Sequence, residues 1–398
     1  MMRRRLPAIA SAPLLLFAAF ACVAGTQDHG PFDKTESAEI DRLVRDVCRK
    51  HIVLLGEDAN HGGARTFEVK TEVVKRLVSR CGFGAVLFES QIYDFLDYGH
   101  AVADGAATQR QLAGAVGALW ARAEESKPLI DFLYRETMAG RLRIGGIDPQ
   151  AGGAMGEYSK TRLGAALAAP LAGARRDACL REIDRHNGWR YDDANPFDDV
   201  ARQRLRSCVD DIRAAIAGQG TAPASEVAAM AAAYSRYLDM ALAGDGNLRD
   251  LGMYENILWH RGCWPKATKF IVWCATVHAA KALDGLAVDM KPMGGHLRAA
   301  FGDRAAAIGF TALSGRFGNP GAGGGPHQLS TLPAHALEAV VLAGSEIGLR
   351  YVDGKRLKRL GTIAARPINY RMVHAAPWAK VLDGLIVLRE ERAIERVR

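Results

Sequence analysis

The sequence has no block of lysine and arginine interleaved with aromatic residues, and aromatics make up only 7% of it. The pattern that grips a phosphate backbone while stacking bases is therefore missing, and nucleic-acid binding is not indicated. Beyond the N-terminal segment no apolar run is long enough to suggest a membrane span. There is no internal repeat. Two histidines four apart on a helix, the zinc-protease signature, do not occur. The glycines at Gly323-Gly324-Gly325-Pro326 are followed by no helix start and no Lys/Ser pair, so they form no phosphate cradle.

What is present is an ordinary globular composition. In 398 residues, 49% are apolar and 24% charged, enough to bury a large core. The first residues differ from the rest. Arg3, Arg4 and Arg5 precede an apolar run from Leu14 to Phe20, and Ala19-Phe20-Ala21 follows with small residues at a signal-peptidase spacing. Residues 1–21 read as a signal peptide and 22–398 as one domain, periplasmic or secreted. Cys22 directly after Ala21 also permits a lipid anchor. The net charge is +8, and setting aside the three leader arginines leaves 49 basic against 44 acidic residues, a mild excess. Six cysteines remain downstream of Cys22, and in an oxidising compartment some are expected to pair.

Short aliphatic runs alternate with helical patterns. Strands are expected at His51–Leu55, Ala85–Phe88, Leu142–Ile147, Lys269–Cys274, Ala305–Phe310 and Gly384–Leu388. Between the first two, Phe67, Val73, Val74, Leu77 and Val78 recur at a helical period. The expected fold is α/β, a mostly parallel central sheet flanked by helices. Residues 156–245 carry almost no strand signal and read as an α-helical insertion, with Asn187–Pro196 turning one helix back on the next. Residues 315–327 read as a mobile glycine-rich surface loop.

Groups able to do chemistry gather just past strand ends. Glu57 and His61 follow the first strand, Glu89 ends the second, Asp148 the third, and His278 follows Val272-Trp273-Cys274-Ala275. In a parallel sheet those ends share one edge, where α/β proteins place their ligands. Singly each has a plain structural reading: a turn residue, a helix cap, a core histidine. Their common edge is what favours a site. Lys70 falls on the apolar stripe of its helix, three after Phe67 and four before Val74. It snorkels to water, pairs with Glu57 or Glu89, or meets an anionic or carbonyl group. Trp120, Glu124 and Glu125 open a helical stretch over the sheet edge and are assigned no chemistry.

Gly56-Glu57-x-x-x-His61-Gly62 with Phe67-Glu68-Val69-Lys70 resembles the opening motif of the erythromycin esterase family. The resemblance continues through Phe88-Glu89, Gly146-Ile147-Asp148 and Arg249-Asp250-x-x-Met253-x-Glu255-Asn256. It extends to Val272-Trp273 with His278, Met293-Gly294-Gly295-His296-Leu297, Arg366-Pro367 and Leu382-Asp383-Gly384-Leu385-Ile386. It implies hydrolysis of an ester, with a small-molecule ester substrate, no cofactor and no covalent serine or cysteine. His61 matches the base that activates water, Glu57 and Glu89 its carboxylate neighbours, and His278 a further catalytic position. Lys70, Asp148 and His296 fall to substrate binding, with Lys70 and His278 available to an oxyanion. The chemistry is self-consistent, since imidazole ordinarily titrates near neutrality and a carboxylate on its other nitrogen fixes the tautomer. The chain departs from the family at Ala275 and Thr276, where a histidine and an asparagine are common, and at Arg65, where an acid is usual. Macrolide specificity is thereby put in question. Two rivals remain: a metal-dependent hydrolase using Glu57, His61, Glu89 and His278, and a haem-binding lipoprotein with His278 or His61 as axial ligand.

The cysteines give a geometric expectation. Cys48 and Cys81 each precede a strand by a few residues, and parallel neighbours about 4.8 Å apart would bring them within the ~6.8 Å limit of a disulfide. Cys179 and Cys208 flank the Asn187–Pro196 turn and can clip that hairpin. Cys263 and Cys274 are expected to stay free.

Overall fold

A computed structural model of the chain describes residues 32–152, 156–219, 225–286, 290–318 and 325–397. The expected leader at 1–21 and Cys22 lie outside these residues. All six expected strands form: β1 (Ile52–Glu57), β2 (Ala85–Gln91), β3 (Arg143–Asp148), β4 (Phe270–Ala275), β5 (Ala305–Phe317) and, last in the chain, a strand at Gly384–Glu391. Between β5 and that strand lie, among the described residues, four more, β6 (His327–Gln328), β7 (Leu349–Asp353), β8 (Thr362–Asn369) and β9 (Met372–Pro377), which makes the last β10. The main sheet runs in the order β3-β2-β4-β1-β5-β10-β7, with β6 paired to β5. Every pair from β3 to β10 is parallel, whereas β7 and β6 run antiparallel to their neighbours.

Alternation along the strands sorts side chains to two faces. Val53, Leu55, Val86, Phe88, Ile271 and Trp273 join the core formed with helices α1 (Lys34–Val47) and α2 (Ala64–Cys81). Ile52, Leu54, Leu87, Phe270 and Val272 face the Gly246–Cys263 and Met293–Phe301 helices. The central strands β1, β2 and β4 are buried along their whole length. Between β3 and β4 the chain is helical, as residues 156–245 lead one to expect, and no strand interrupts it among the described residues.

The disulfides Cys48–Cys81 and Cys179–Cys208 both form, and Cys263 and Cys274 take part in neither, as expected. The assumption behind the first pair needs correction. β1 and β2 are not neighbours, because β4 inserts between them. The bond is instead made by helix ends: Cys48 caps α1, Cys81 ends α2, and the two helices pack on the same face of the sheet. Lys269, just before β4, donates to the carbonyls of Cys48 and Cys81 at 2.6 Å each. This knot closes the amino-terminal edge of the sheet, opposite the carboxyl ends of the strands.

The glycine-rich stretch also differs from expectation at its margins. β5 continues through Phe317 and pairs with β10 as far as Gly315↔Glu391, and His327–Gln328 pairs back onto β5. Gly315 has φ 109°, and a Cβ there would lie 2.0 Å from the Glu391 carbonyl, so only glycine fits this approach. Residues 319–324 lie outside the described residues. The β8–β9 hairpin escaped the sequence reading because β8 contains Arg366-Pro367, and proline argues against a paired strand. It is tolerated because β8 pairs on one side only, with β9.

Candidate active site

The loop after β1 builds the first half of the site. Asp58 accepts from the backbone N–H of Asn60 at 3.0 Å and of Tyr370 at 2.6 Å, while its carbonyl takes the His61 N–H at 2.9 Å. The tight turn leaves His61 at φ 53°, a left-handed conformation that costs a non-glycine residue roughly 1–2 kcal/mol. Gly62 then passes so close to the chain at Gly318 that a Cβ would meet the Gly318 carbonyl at 1.9 Å. Strain of this kind persists where surrounding contacts impose it, and it clusters at functional sites.

The turn aims the imidazole at Glu57. His61 Nδ1 donates to Glu57 Oε1 at 2.8 Å, and the Trp120 indole N–H donates to the same oxygen at 2.5 Å. Lys70 Nζ donates to Oε2 at 2.5 Å and sits 3.9 Å from the centroid of the Trp273 ring. Lys70 is fully buried and Glu57 is 1% exposed. Burial pushes the Glu57 carboxyl up, but Lys70 and His61 outweigh it and hold it below the ordinary carboxylate value. Burial lowers the Lys70 ammonium, partly countered by Glu57. With Glu57 an anion fed by three donors, His61 is fixed with its proton on Nδ1. Its Nε2 makes no hydrogen bond among the described residues, and the Trp120 ring meets the imidazole edge-on at 5.2 Å.

The second half centres on Arg249. Its guanidinium donates to Glu89 Oε1 at 2.8 Å and to Asp148 Oδ2 at 2.7 and 3.2 Å. His278 Nδ1 is bonded to Asp250 at 2.9 Å, and its Nε2 lies 3.2 Å from Glu89 Oε1. Burial and Arg249, whose Nη1 lies 2.9 Å from His278 Nε2, act to lower the His278 imidazole, but Glu89 and Asp250 prevail and raise it to about 9. Burial likewise acts to raise Glu89, yet His278 and Arg249 hold it well below the ordinary range. Asp250 accepts in addition from the Met293 N–H at 2.7 Å.

One peptide unit joins the halves. The Cys274 carbonyl faces Lys70 Nζ at 3.4 Å, and the adjoining Ala275 N–H donates to Glu89 Oε2 at 2.8 Å. The end of β4, lying between β1 and β2, therefore carries both clusters at the carboxyl edge of the sheet. Glu57, His61 and Lys70 come together in one cluster and Glu89, Asp148 and His278 in the other. His296 joins neither: its ring stacks on Tyr254 at 5.3 Å. Lys70 is spent on Glu57 and presents no free donor to an oxyanion. Trp120, Arg249 and Asp250 are members that the sequence reading passed over. Asp250 had a usable signal, since it shares a buried helical stripe with Met253 and Ile257, as Lys70 does with Phe67 and Val74. Among the described residues no three His, Cys, Asp or Glu side chains are arranged to hold a metal ion.

A profile of the erythromycin esterase family matches residues 78–390. The chain belongs to the erythromycin esterase family. Membership supports a hydrolase acting on a small molecule. The matched span contains Glu89, Asp148, Arg249 and His278 but begins after Glu57, His61 and Lys70, which enter the site by geometry. Solved structures share the fold. A Bacillus cereus protein superposes with a TM-score of 0.67 at 17% identity, covering 90% of this chain and 93% of its own. A succinoglycan biosynthesis protein gives 0.66 at 15% identity, covering 89% and 92%. The erythromycin esterase EreC, as a histidine-to-asparagine mutant in its open conformation, gives 0.63 at 17% identity, covering 90% and 95%. No curated protein sequence matches the chain.

Proposed function

We propose that this member of the family is an exported carboxylic ester hydrolase in which His61 activates water as a general base. The observation that carries the reading is the state of the two imidazole nitrogens: Nδ1 is committed to an anionic Glu57, and Nε2 makes no hydrogen bond among the described residues. Water held at Nε2 gives it a proton while its oxygen attacks the ester carbonyl. What Arg249 and His278 offer the tetrahedral oxyanion is electrostatic, since both, like Lys70, already bond carboxylates. Collapse expels the alkoxide, which recovers the proton from His61, leaving acid and alcohol. Base catalysis of this kind is typically worth about 10²–10⁴-fold, and oxyanion stabilisation a comparable factor. Asp148 acts through Arg249 by fixing its guanidinium. Residues 22–398 are read as one hydrolase domain after removal of residues 1–21. The two disulfides support export, since such bonds persist in oxidising compartments.

The test is a panel of simple carboxylic esters and macrolides, followed by mass spectrometry for the gain of one water, with and without chelator. Simple ester cleavage that persists in chelator is the expected result. Erythromycin is expected to turn over poorly. Ala275 is 2% exposed and has no hydrogen-bonding side chain, and Thr276 is fully buried with its hydroxyl unpaired. Efficient opening of erythromycin refutes the substrate expectation, activity abolished by chelator refutes the metal-free mechanism, and a Soret band in the purified protein would favour a haem carrier.

A further inference from the structure

The residues that follow β10 cross the site, and none of the groups described so far explains them. Glu391, at the carboxyl end of β10, is 1% exposed. The N-cap of α2 is Gly63, which supplies no side-chain cap, and the first turn contains no acidic residue. A helix start leaves backbone N–H groups without intrahelical partners, and a buried start needs acceptors from elsewhere. Glu391 provides them. Its Oε1 accepts from the Arg65 N–H at 2.7 Å, Thr66 N–H at 3.3 Å and Arg392 N–H at 3.0 Å. Its Oε2 accepts from the Thr66 hydroxyl at 2.5 Å and the Tyr370 hydroxyl at 3.0 Å. Tyr370 is the residue whose N–H holds Asp58 in the His61 turn.

The next residues continue the grip. Ala64 N–H donates to the Arg392 carbonyl at 2.7 Å, Ala393 bridges to Gly63, and Ile394 N–H donates to the Gly62 carbonyl at 3.2 Å. The chain then reaches the segment after Trp120. Glu124 N–H donates to the Glu395 carbonyl at 2.8 Å, Arg396 bridges to Ala123, and Val397 N–H donates to the Arg122 carbonyl at 2.8 Å. One short segment therefore ties the backbone just after His61 to the backbone just after Trp120, and its first residue caps the helix that carries Lys70. Those three side chains are the donors on Glu57. The walls also meet at the Gly318 contact with β5, where α2 touches the Glu124–Ser126 turn, and through the apolar core that Phe67 shares with Trp120; the strap adds main-chain hydrogen bonds to both.

We propose that Glu391 and the strap to Val397 position the His61–Glu57–Trp120 constellation, Glu391 acting as a positioning residue through the first turn of α2. The inference rests on the hydrolytic reading for its kinetic arm and on geometry alone for its spectroscopic arm. A misplacement of about 1 Å at a catalytic group can cost on the order of 10²-fold in rate. Loss of the strap should therefore lower kcat while leaving substrate binding nearly intact.

Three variants test this: Glu391→Ala, Glu391→Gln, and a chain ended after Glu395, which keeps the helix cap and loses the Arg396 and Val397 contacts. Each is assayed for kcat and KM on the best simple ester of the panel. Each is also examined by proton–nitrogen NMR of histidine-labelled protein, where the His61 Nδ1–H signal is assigned by its disappearance in His61→Asn. Glu391→Ala and the shortened chain are expected to lose roughly tenfold to hundredfold in kcat with little change in KM, and to lose or broaden the His61 signal. Glu391→Gln should recover most of both, because its amide oxygen accepts the backbone N–H groups and its NH₂ donates to the two hydroxyls. Folded variants with unchanged kcat and an unchanged His61 signal would overturn the proposal. If Glu391→Ala does not fold, the shortened chain and Glu391→Gln decide by the same readings. If the wild type cleaves no ester, the hydrolytic reading fails, and the NMR signal alone still decides whether the strap positions His61.

Discussion

His61→Asn is expected to lower turnover by about 10²–10⁴-fold on every ester the wild type cleaves, with melting little changed. Asparagine is chosen because it tolerates the left-handed backbone at this position, where φ is 53°, better than alanine does. A loss of rate then reports the missing imidazole and not a relaxed turn. Asparagine is too short to reach both Glu57 and a water at the position of Nε2. The stability cost should be small, since the ring is at the surface of the cluster, with its side chain 11% exposed, while Glu57 retains Lys70 and Trp120. Turnover within a few-fold of wild type would remove His61 from the reaction.

Lys70→Met is expected to damage both stability and turnover, and adding Glu57→Gln is expected to repair only the first. Methionine fills the apolar stripe between Phe67 and Val74, so packing alone predicts a mild change. The ion pair predicts otherwise. Removing one partner of a buried pair typically costs about 3–5 kcal/mol, because the other charge is left without compensation. The pH dependence follows from Glu57. Its carboxyl is held below the ordinary value of 4.5 in the fold, so its ionised form contributes stability above that value and loses it as pH falls through the depressed one. In Lys70→Met that contribution is gone and Glu57 protonates more readily. The melting deficit against wild type should therefore be larger at pH 8 than at pH 5. The double variant replaces both charges by neutral groups, an exchange often neutral or stabilising. It should melt near wild type and remain inactive, with no anion to orient His61. An equal deficit at both pH values, or an active double variant, would show that the Lys70–Glu57 pair does not hold the base.

The carboxyl-edge convergence was legible because it depends on strand order only loosely. Any parallel arrangement of β1 to β4 brings Glu57, His61, Glu89, Asp148 and His278 to one side. Which residues touch was not legible. The insertion of β4 between β1 and β2 decides that Lys70 meets Trp273 and the Cys274 carbonyl and that the Ala275 N–H reaches Glu89, and a strand crossover leaves no local mark in the sequence. Trp120 was invisible for a similar reason: an aromatic residue carries no sign that its N–H will be aimed at a carboxylate sixty-three positions earlier. His296 shows the opposite failure. A motif placed it near the chemistry, and the helix it rides on turns the ring toward Tyr254. Glu391 lies at the end of an ordinary strand pattern, and its role depends on a helix start 326 residues away.

The measurement that bears most directly on the base is a comparison of two titrations. One is the acid limb of kcat/KM for the best ester; the other is the titration of the His61 ring followed by NMR in the same buffer. If His61 Nε2 takes the proton from water, the two midpoints coincide in the wild type and move together in Trp120→Phe, which keeps the Glu57 anion but removes one of its donors. An acid limb that stays in place while the His61 titration moves would contradict the account.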